Sequence, residues 1–209
     1  YINEGEIFIL IMGQKIQYKQ KTNQARAFQE AGIKLLFNLL NNPENLQLSY
    51  RELAELANIS IGSVSNIMQE LEGMNFILKT SSKRILKNTP DLLKRWIIAY
   101  NDILRPRILK KRMRFADKYR PSNWQLMEIQ EYEFNNLWGC EPAAALLTRQ
   151  FNPAKYTIYT DGTWQKISKE LKLIPDEDGE VEILQIFWKE TKDHRNKTTP
   201  PVSYTHLRA

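Results

Sequence analysis

Leu53-Ala-Glu-Leu-Ala57-Asn-Ile59-Ser60-Ile-Gly62-Ser-Val64-Ser65-Asn66-Ile67-Met-Gln69-Glu-Leu71 decides the fold. Leu53, Leu56 and Ala57 share one face of a helix, and Val64, Ile67, Met68 and Leu71 share one face of another. Asn58-Ile-Ser60 separates them by one tight turn. Two helices that cross at close range need small side chains at the crossing, and Ala54 and Ala57 supply them. Ile59 plugs the turn into the core, and Ser60 caps the second helix. Gly62, Ser63, Ser65, Asn66 and Gln69 are left pointing outward. Short and amide side chains on a helix of this length suit the major groove of DNA. The stretch reads as a helix-turn-helix.

The flanking sequence extends it. Upstream, Ala27, Phe28, Ala31, Leu35, Leu36, Leu39 and Leu40 recur at helical spacing from Asn23 to Asn42-Pro43. Ser49 and Glu52 form a capping box for the helix that carries Leu53. Downstream, Phe76–Thr80 and Arg84–Lys87 read as two short strands around the polar turn Ser81-Ser-Lys83. A hairpin there is a wing, with Lys83 and Arg84 placed for contacts to the DNA backbone.

Further along, Asp91 caps a helix expected to end near Leu104, where Arg105-Pro106 stops it. Ile108–Phe115 reads as a strand, and Pro142 suits the first turn of a helix through Gln150. Tyr156–Thr160 reads as a strand, Thr163–Leu171 as a helix and Val181–Trp188 as a strand. Glu6–Met12 is an apolar run expected to be the last strand of a truncated N-terminal domain. The expected fold class is α+β, a winged helix-turn-helix followed by a small mixed α/β C-terminal domain. The expected divisions are a residual strand over 1–20, the winged helix over 21–90, a C-terminal domain over 91–202 and a non-native tail over 203–209.

Charge adds a second candidate surface. The chain has 209 residues and a net charge of +6, and residues 91–120 hold ten Lys or Arg against three Asp. Arg105, Arg107, Lys110, Lys111, Arg112 and Arg114 fall within ten residues. Such a run repels itself and implies an acidic partner, a phosphate backbone or an acidic protein face. Lys110, Lys111 and Arg112 are therefore candidate phosphate contacts.

Catalytic chemistry finds no footing. His194 and His206 sit in polar sequence without metal-ligand partners at useful spacing. Cys140 has no nearby histidine or basic residue in sequence to activate it, and a buried structural role is expected. Asp176-Glu-Asp-Gly179 lacks the remaining ligands of a calcium loop and reads as a turn. No phosphate-binding glycine loop occurs. A single cysteine suits a reducing compartment, and the cytoplasm is the expected location. No apolar run is long enough to span a membrane. No cofactor, metal or enzymatic activity is expected.

The order of segments resembles the AbiEi-type antitoxins of bacterial type IV toxin–antitoxin systems. Tyr50-Arg-Glu-Leu-Ala54, Ser63-Val-Ser-Asn-Ile67, Leu93-Lys-Arg-Trp96, Trp138-Gly-Cys-Glu-Pro-Ala-Ala144, Tyr156–Thr160, Leu173-Ile-Pro-Asp176, Phe187-Trp188 and Pro200-Pro201 carry the likeness in order. It implies a DNA-binding autorepressor of its own promoter that also antagonises a cognate nucleotidyltransferase-like toxin. After Val202 the sequence departs from the family pattern. Trp138 and Glu141 at a loop-to-helix junction are candidate partner contacts, set against the plainer reading of a core tryptophan and a helix cap. The outer face of the second helix carries no Arg or Lys, which implies weak base specificity or a homodimer on DNA. Two other readings compete: a winged helix that contacts only protein, and the remnant of a nuclease-like protein.

Overall fold

The computed structural model describes residues 25–116, 124, 135–149, 152–189 and 198–199, with the backbone of residues 2–3 and 6–7. Strands β1 (Ile2–Asn3) and β2 (Glu6–Ile7) pair antiparallel. The remainder of the strand expected over 6–12, His194, His206 and the tail 203–209 lie outside the described residues.

The first helix is shorter than its periodicity predicts. A 3₁₀ turn, Arg26–Phe28, precedes α1 (Glu30–Asn41) with Gln29 extended between them. The turn folds back so closely that a Cβ on Gly32 would lie 2.2 Å from the Ala27 carbonyl oxygen. The freed Ala27 N–H donates to Glu70 at 2.9 Å. A second 3₁₀ turn, Pro43–Gln47, leads into α2 (Tyr50–Ala57), and the capping box is formed. The Ser49 N–H donates to Glu52 at 2.8 Å and the Glu52 N–H to Ser49 Oγ at 3.3 Å. Asn58 turns the chain with φ 51°, a left-handed value that Asn tolerates. Helix α3 (Ile61–Gly73) follows, burying Val64, Ile67, Met68 and Leu71.

The wing is β3 (Ile77–Lys79) paired antiparallel with β4 (Arg84–Leu86). Helix α4 (Thr89–Ala99) starts two residues before Asp91, because Pro90 occupies its first turn. It does not end at Arg105-Pro106. A π turn over Tyr100–Leu104 carries it into α5 (Arg105–Ile108), where Pro106 again falls in a first turn. Widening the helix by one residue is how a proline that lacks an N–H is passed without a break. α4 joins the helical core, and the Trp96 indole N–H donates to the Ile33 carbonyl at 2.9 Å.

Strand β5 (Leu109–Phe115) begins a five-stranded mixed sheet. Its other members are β6 (Asn136–Gly139), β7 (Tyr156–Thr160), β8 (Leu173–Pro175) and β9 (Val181–Gln185). Helices α6 (Cys140–Thr148) and α7 (Trp164–Glu170) fall between them in sequence. The order across the sheet is β6-β7-β9-β5-β8, antiparallel except for the β7–β9 pair.

Side chains alternate across these strands. Met113, Trp138, Tyr156, Ile158, Val181 and Ile183 share a core with Ala145 of α6 and Ile167 of α7. Leu137, Tyr159 and Leu184 join the core of the winged helix instead. The sheet is thus the middle of three layers. Phe187 and Trp188 leave the end of β9 and pack on Phe37 of α1 at ring centroid distances of 4.9 and 5.2 Å. Tyr100 stacks on Trp96 at 5.1 Å, and its hydroxyl meets that of Tyr159. One buried aromatic cluster therefore ties the helices to the sheet.

Candidate nucleic-acid interface

The capping serine fixes where α3 starts, and so which of its residues face out. Ser60 Oγ accepts from the Ser63 N–H at 3.1 Å and lies 2.9 Å from Ser63 Oγ, so both hydroxyls belong to the cap. Gly62, Asn66 and Gln69 are exposed and Ser65 is half-buried. Asn66 and Gln69 lie three residues apart, on one side of the helix. Ile61, which the sequence reading passed over, stands beside them at 48% exposure. The face has no charged side chain between Ser60 and Gln69.

The wing splits the two cations expected of it. Lys83 is exposed at the turn, which Thr80 holds by accepting the Lys83 N–H on its hydroxyl at 3.1 Å. Arg84 is half-buried and spent inside the chain. Its guanidinium donates to the Leu48 carbonyl at 2.7 Å and lies over the Tyr50 ring at 5.5 Å. Its backbone pairs with the Gln47 amide in both directions, at 3.2 and 2.7 Å. Arg84 fixes the wing against the entry to α2. Lys79 and Lys87, also exposed, are the wing cations that sequence reading missed.

The basic run is committed to the sheet. Arg105 and Arg112 both pair with Glu182 on the neighbouring strand β9, the latter at 3.0 Å. Burial alone would raise the Glu182 carboxyl, but the two guanidiniums hold it below its usual range. Lys110 donates to the Gly162 carbonyl at 2.7 Å, and the Lys111 ammonium lies 5.9 Å from the Trp164 ring centre. Arg107 reaches Glu30 at 2.7 Å, and Arg114 reaches Asp176 at 3.3 Å. The Arg112–Glu182 and Arg114–Asp176 pairs follow from β5 being an inner strand, flanked by β9 and β8.

Trp138 is fully buried, edge-on to Trp124 at 5.5 Å, so it is no exposed anchor. Its position on β6 turns it to the inner core, the plainer of the two readings its sequence offers. Glu141 is half-buried and accepts the Ala154 and Lys155 N–H groups at 2.5 and 3.0 Å, tying the chain before β7 to α6. Cys140 is buried, as expected, and burial pushes its thiol up. The sequence reading missed one neighbour: Arg105, 35 positions earlier, acts on it in the opposite sense. Asp176–Gly179 is a tight turn, closed by the Gly179 N–H on the Asp176 carbonyl at 3.2 Å. Among the described residues, no group of three or more His, Cys, Asp or Glu is placed to hold a metal. No helix among them is long and apolar enough to cross a membrane.

One family model matches the chain. Its description is a transcriptional regulator, the AbiEi antitoxin of a type IV toxin–antitoxin system, and it covers residues 84–208. The match starts at the second wing strand and takes in α4, the whole sheet, α6 and α7, more than half of the 209 residues. Helices α2 and α3 lie upstream of it. No curated protein and no solved structure matches the chain. With the matched span covering the sheet and its helices, the chain belongs to the AbiEi antitoxin family of type IV toxin–antitoxin transcriptional regulators.

Proposed function

We propose that this chain represses its own promoter by binding duplex DNA through α3 and the wing, and that it antagonises a cognate nucleotidyltransferase-like toxin. The observation that carries the DNA half is the outward edge of α3. A capped helix presents Gly62, Asn66 and Gln69 to solvent, with Ser65 half-buried beside them and no charged side chain between Ser60 and Gln69. Asn and Gln amides offer a donor and an acceptor together, the pattern that pairs with an adenine edge. Lys79, Lys83 and Lys87 on the adjoining wing supply the positive charge that α3 lacks.

A protein-contact role for the winged helix is the competing reading, and the absence of cations on α3 favours it. Salt separates the two. Binding of the full chain to a duplex carrying the upstream region of its own gene is titrated against salt. Three or so phosphate contacts give a log–log slope of about −3. A flat dependence, or no binding at low salt, would rule out promoter repression by this surface.

The toxin-binding half rests on the family and on the sheet, which the matched span covers. Co-expression with the toxin encoded beside the gene tests it. Rescue of growth by the full chain is the expected result, and sustained toxicity with the chain present would end this half of the reading.

A further inference from the structure

Two adjacent residues on α3 have no explanation among the described residues. Gly62 lies in the helix with ordinary helical backbone, and a Cβ built there would meet nothing within 4 Å. The fold therefore has room for alanine, which a helix prefers. Other glycines show the contrast. A Cβ on Gly179 would lie 2.0 Å from the Met113 carbonyl, and one on Gly139 would lie 2.4 Å from the Tyr159 ring. Gly73 also faces open space, at the last residue of α3, two before the left-handed Asn75. Gly62 sits at the opposite end, inside the first turn.

Beside it, Ile61 is 48% exposed although the core of α3 is closed by Val64, Ile67, Met68 and Leu71. A single exposed apolar side chain is common. An exposed isoleucine next to a glycine the fold does not need, at the end of a helix whose outward side continues with Ser65, Asn66 and Gln69, is a shaped surface.

We propose that Ile61 and Gly62 are the sequence-reading tip of α3, with Ile61 seated against the C5 methyl of a thymine in the major groove. Gly62 leaves the helix backbone bare so that the duplex comes within van der Waals contact. The inference rests on the DNA reading of α3 and names what that helix reads. Isoleucine has no hydrogen-bonding group, and among base edges in the major groove the thymine methyl is the apolar feature that matches it. Gly62 then resembles the glycines that let a backbone approach a ligand closely, at some cost to the free protein.

The test uses the full chain and a random-sequence duplex pool. The most enriched duplex is remade with each thymine in turn replaced by deoxyuridine, which removes the C5 methyl alone. One such replacement should weaken binding of the unaltered chain by about 3–10-fold, the scale of one buried methyl. Ile61→Ala should bind the thymine and deoxyuridine duplexes equally. Gly62→Ala should melt at the same temperature or about 1–2 °C higher, and bind the enriched duplex at least tenfold more weakly. Stability and affinity moving in opposite directions is the signature of a glycine kept for a ligand. Equal binding of every deoxyuridine duplex, an Ile61→Ala variant as methyl-sensitive as the parent, or a Gly62→Ala variant that melts lower or binds as well would overturn the inference while leaving DNA binding in place. A pool in which nothing is enriched would overturn both.

Discussion

Helix α3 and strand β5 are the two surfaces that the sequence offers to a nucleic acid, and they are built in opposite ways. Strand β5 and the turn before it carry six cations in ten residues; the outward edge of α3 carries none. Charge alone favours the strand. Yet Arg105 and Arg112 share Glu182, Lys110 caps a carbonyl, Lys111 lies over an indole, and Arg114 pairs with Asp176. The helix without cations is the one with open, unspent amides. Charge density along a chain reports how many cations must be neutralised; it does not say whether the counter-charge comes from a partner or from the next strand. For Arg105 and Arg112 strand β9 supplies it, and for Arg114 the turn after β8.

The largest effect expected from this contrast is on binding at α3. Changing Asn66 and Gln69 together to Ala removes two exposed amides and nothing from the core. Specific affinity for the native promoter should fall by about 1–3 kcal/mol per lost base contact. Unfolding free energy should stay within about 0.5 kcal/mol of the parent, as for exposed positions generally. Affinity unchanged in the folded variant would break the comparison at its stronger end.

On β5 the same kind of change should act on stability. Glu182→Gln keeps the shape of the side chain and removes the one negative charge between Arg105 and Arg112. The Glu182 and Arg105 side chains are 15% and 25% exposed, so water replaces little of what is lost. A broken, mostly buried pair costs about 2–4 kcal/mol here, seen as a melting temperature lower by about 5 °C or more. A Glu182→Gln variant that melts with the parent would mean the cations of β5 do not depend on this carboxylate.

A pH series sharpens the same point. The fold holds the Glu182 carboxyl below its usual range, against the pull of burial. Its charged form is therefore favoured by folding, and its contribution is complete above the unfolded value of about 4.3. That contribution disappears as pH falls through the lower, folded value. The melting gap between the parent and Glu182→Gln should be full at pH 6 and should close towards pH 3. A gap that widens in acid would reverse the sign of the argument.

What could be read from the sequence, and what could not, divides along the range of the contacts. The capping box of Ser49 and Glu52, the turn at Asn58, the cap at Ser60 and the hairpin around Lys83 all depend on residues within nine positions, and each is present. The strands β7 and β9 were legible from their apolar runs. The strand Leu173–Pro175 was not, because three residues ending in proline carry no alternation to detect. Nor was the parallel pairing of β7 with β9 or the position of β5 between β9 and β8, which follow from contacts scores of residues apart. Trp138 could therefore be read as core or as an exposed anchor: which side of β6 faces the inner core is set by its pairing with β7, and not by its neighbours in sequence. The same distance hid the partners of the basic run. In the site itself, Asn66 and Gln69 were visible as the outward side of a periodic helix, whereas Ile61 was not, since an isoleucine at a helix start is ordinarily counted as core.

The finest test compares one cation on the wing with two on the strand. Lys83 is exposed at the hairpin turn, and among the described residues its ammonium has no ion pair, whereas Lys110 and Lys111 each face a group of the chain itself. Each phosphate neutralised contributes about 0.9 to the slope of log affinity against log salt. Lys83→Gln should therefore make the slope shallower by about one unit, lowering affinity for specific and random duplexes alike. Lys110→Gln with Lys111→Gln should leave the slope within about 0.3 of the parent. This pair is chosen over any change at Arg112 because it leaves the Glu182 ion pairs intact, so a stability loss cannot masquerade as a binding effect. A double variant that loses about two units would return the phosphate contacts to β5, where charge alone had put them. The duplex would then span the wing and the sheet, and α3 would no longer be the principal surface.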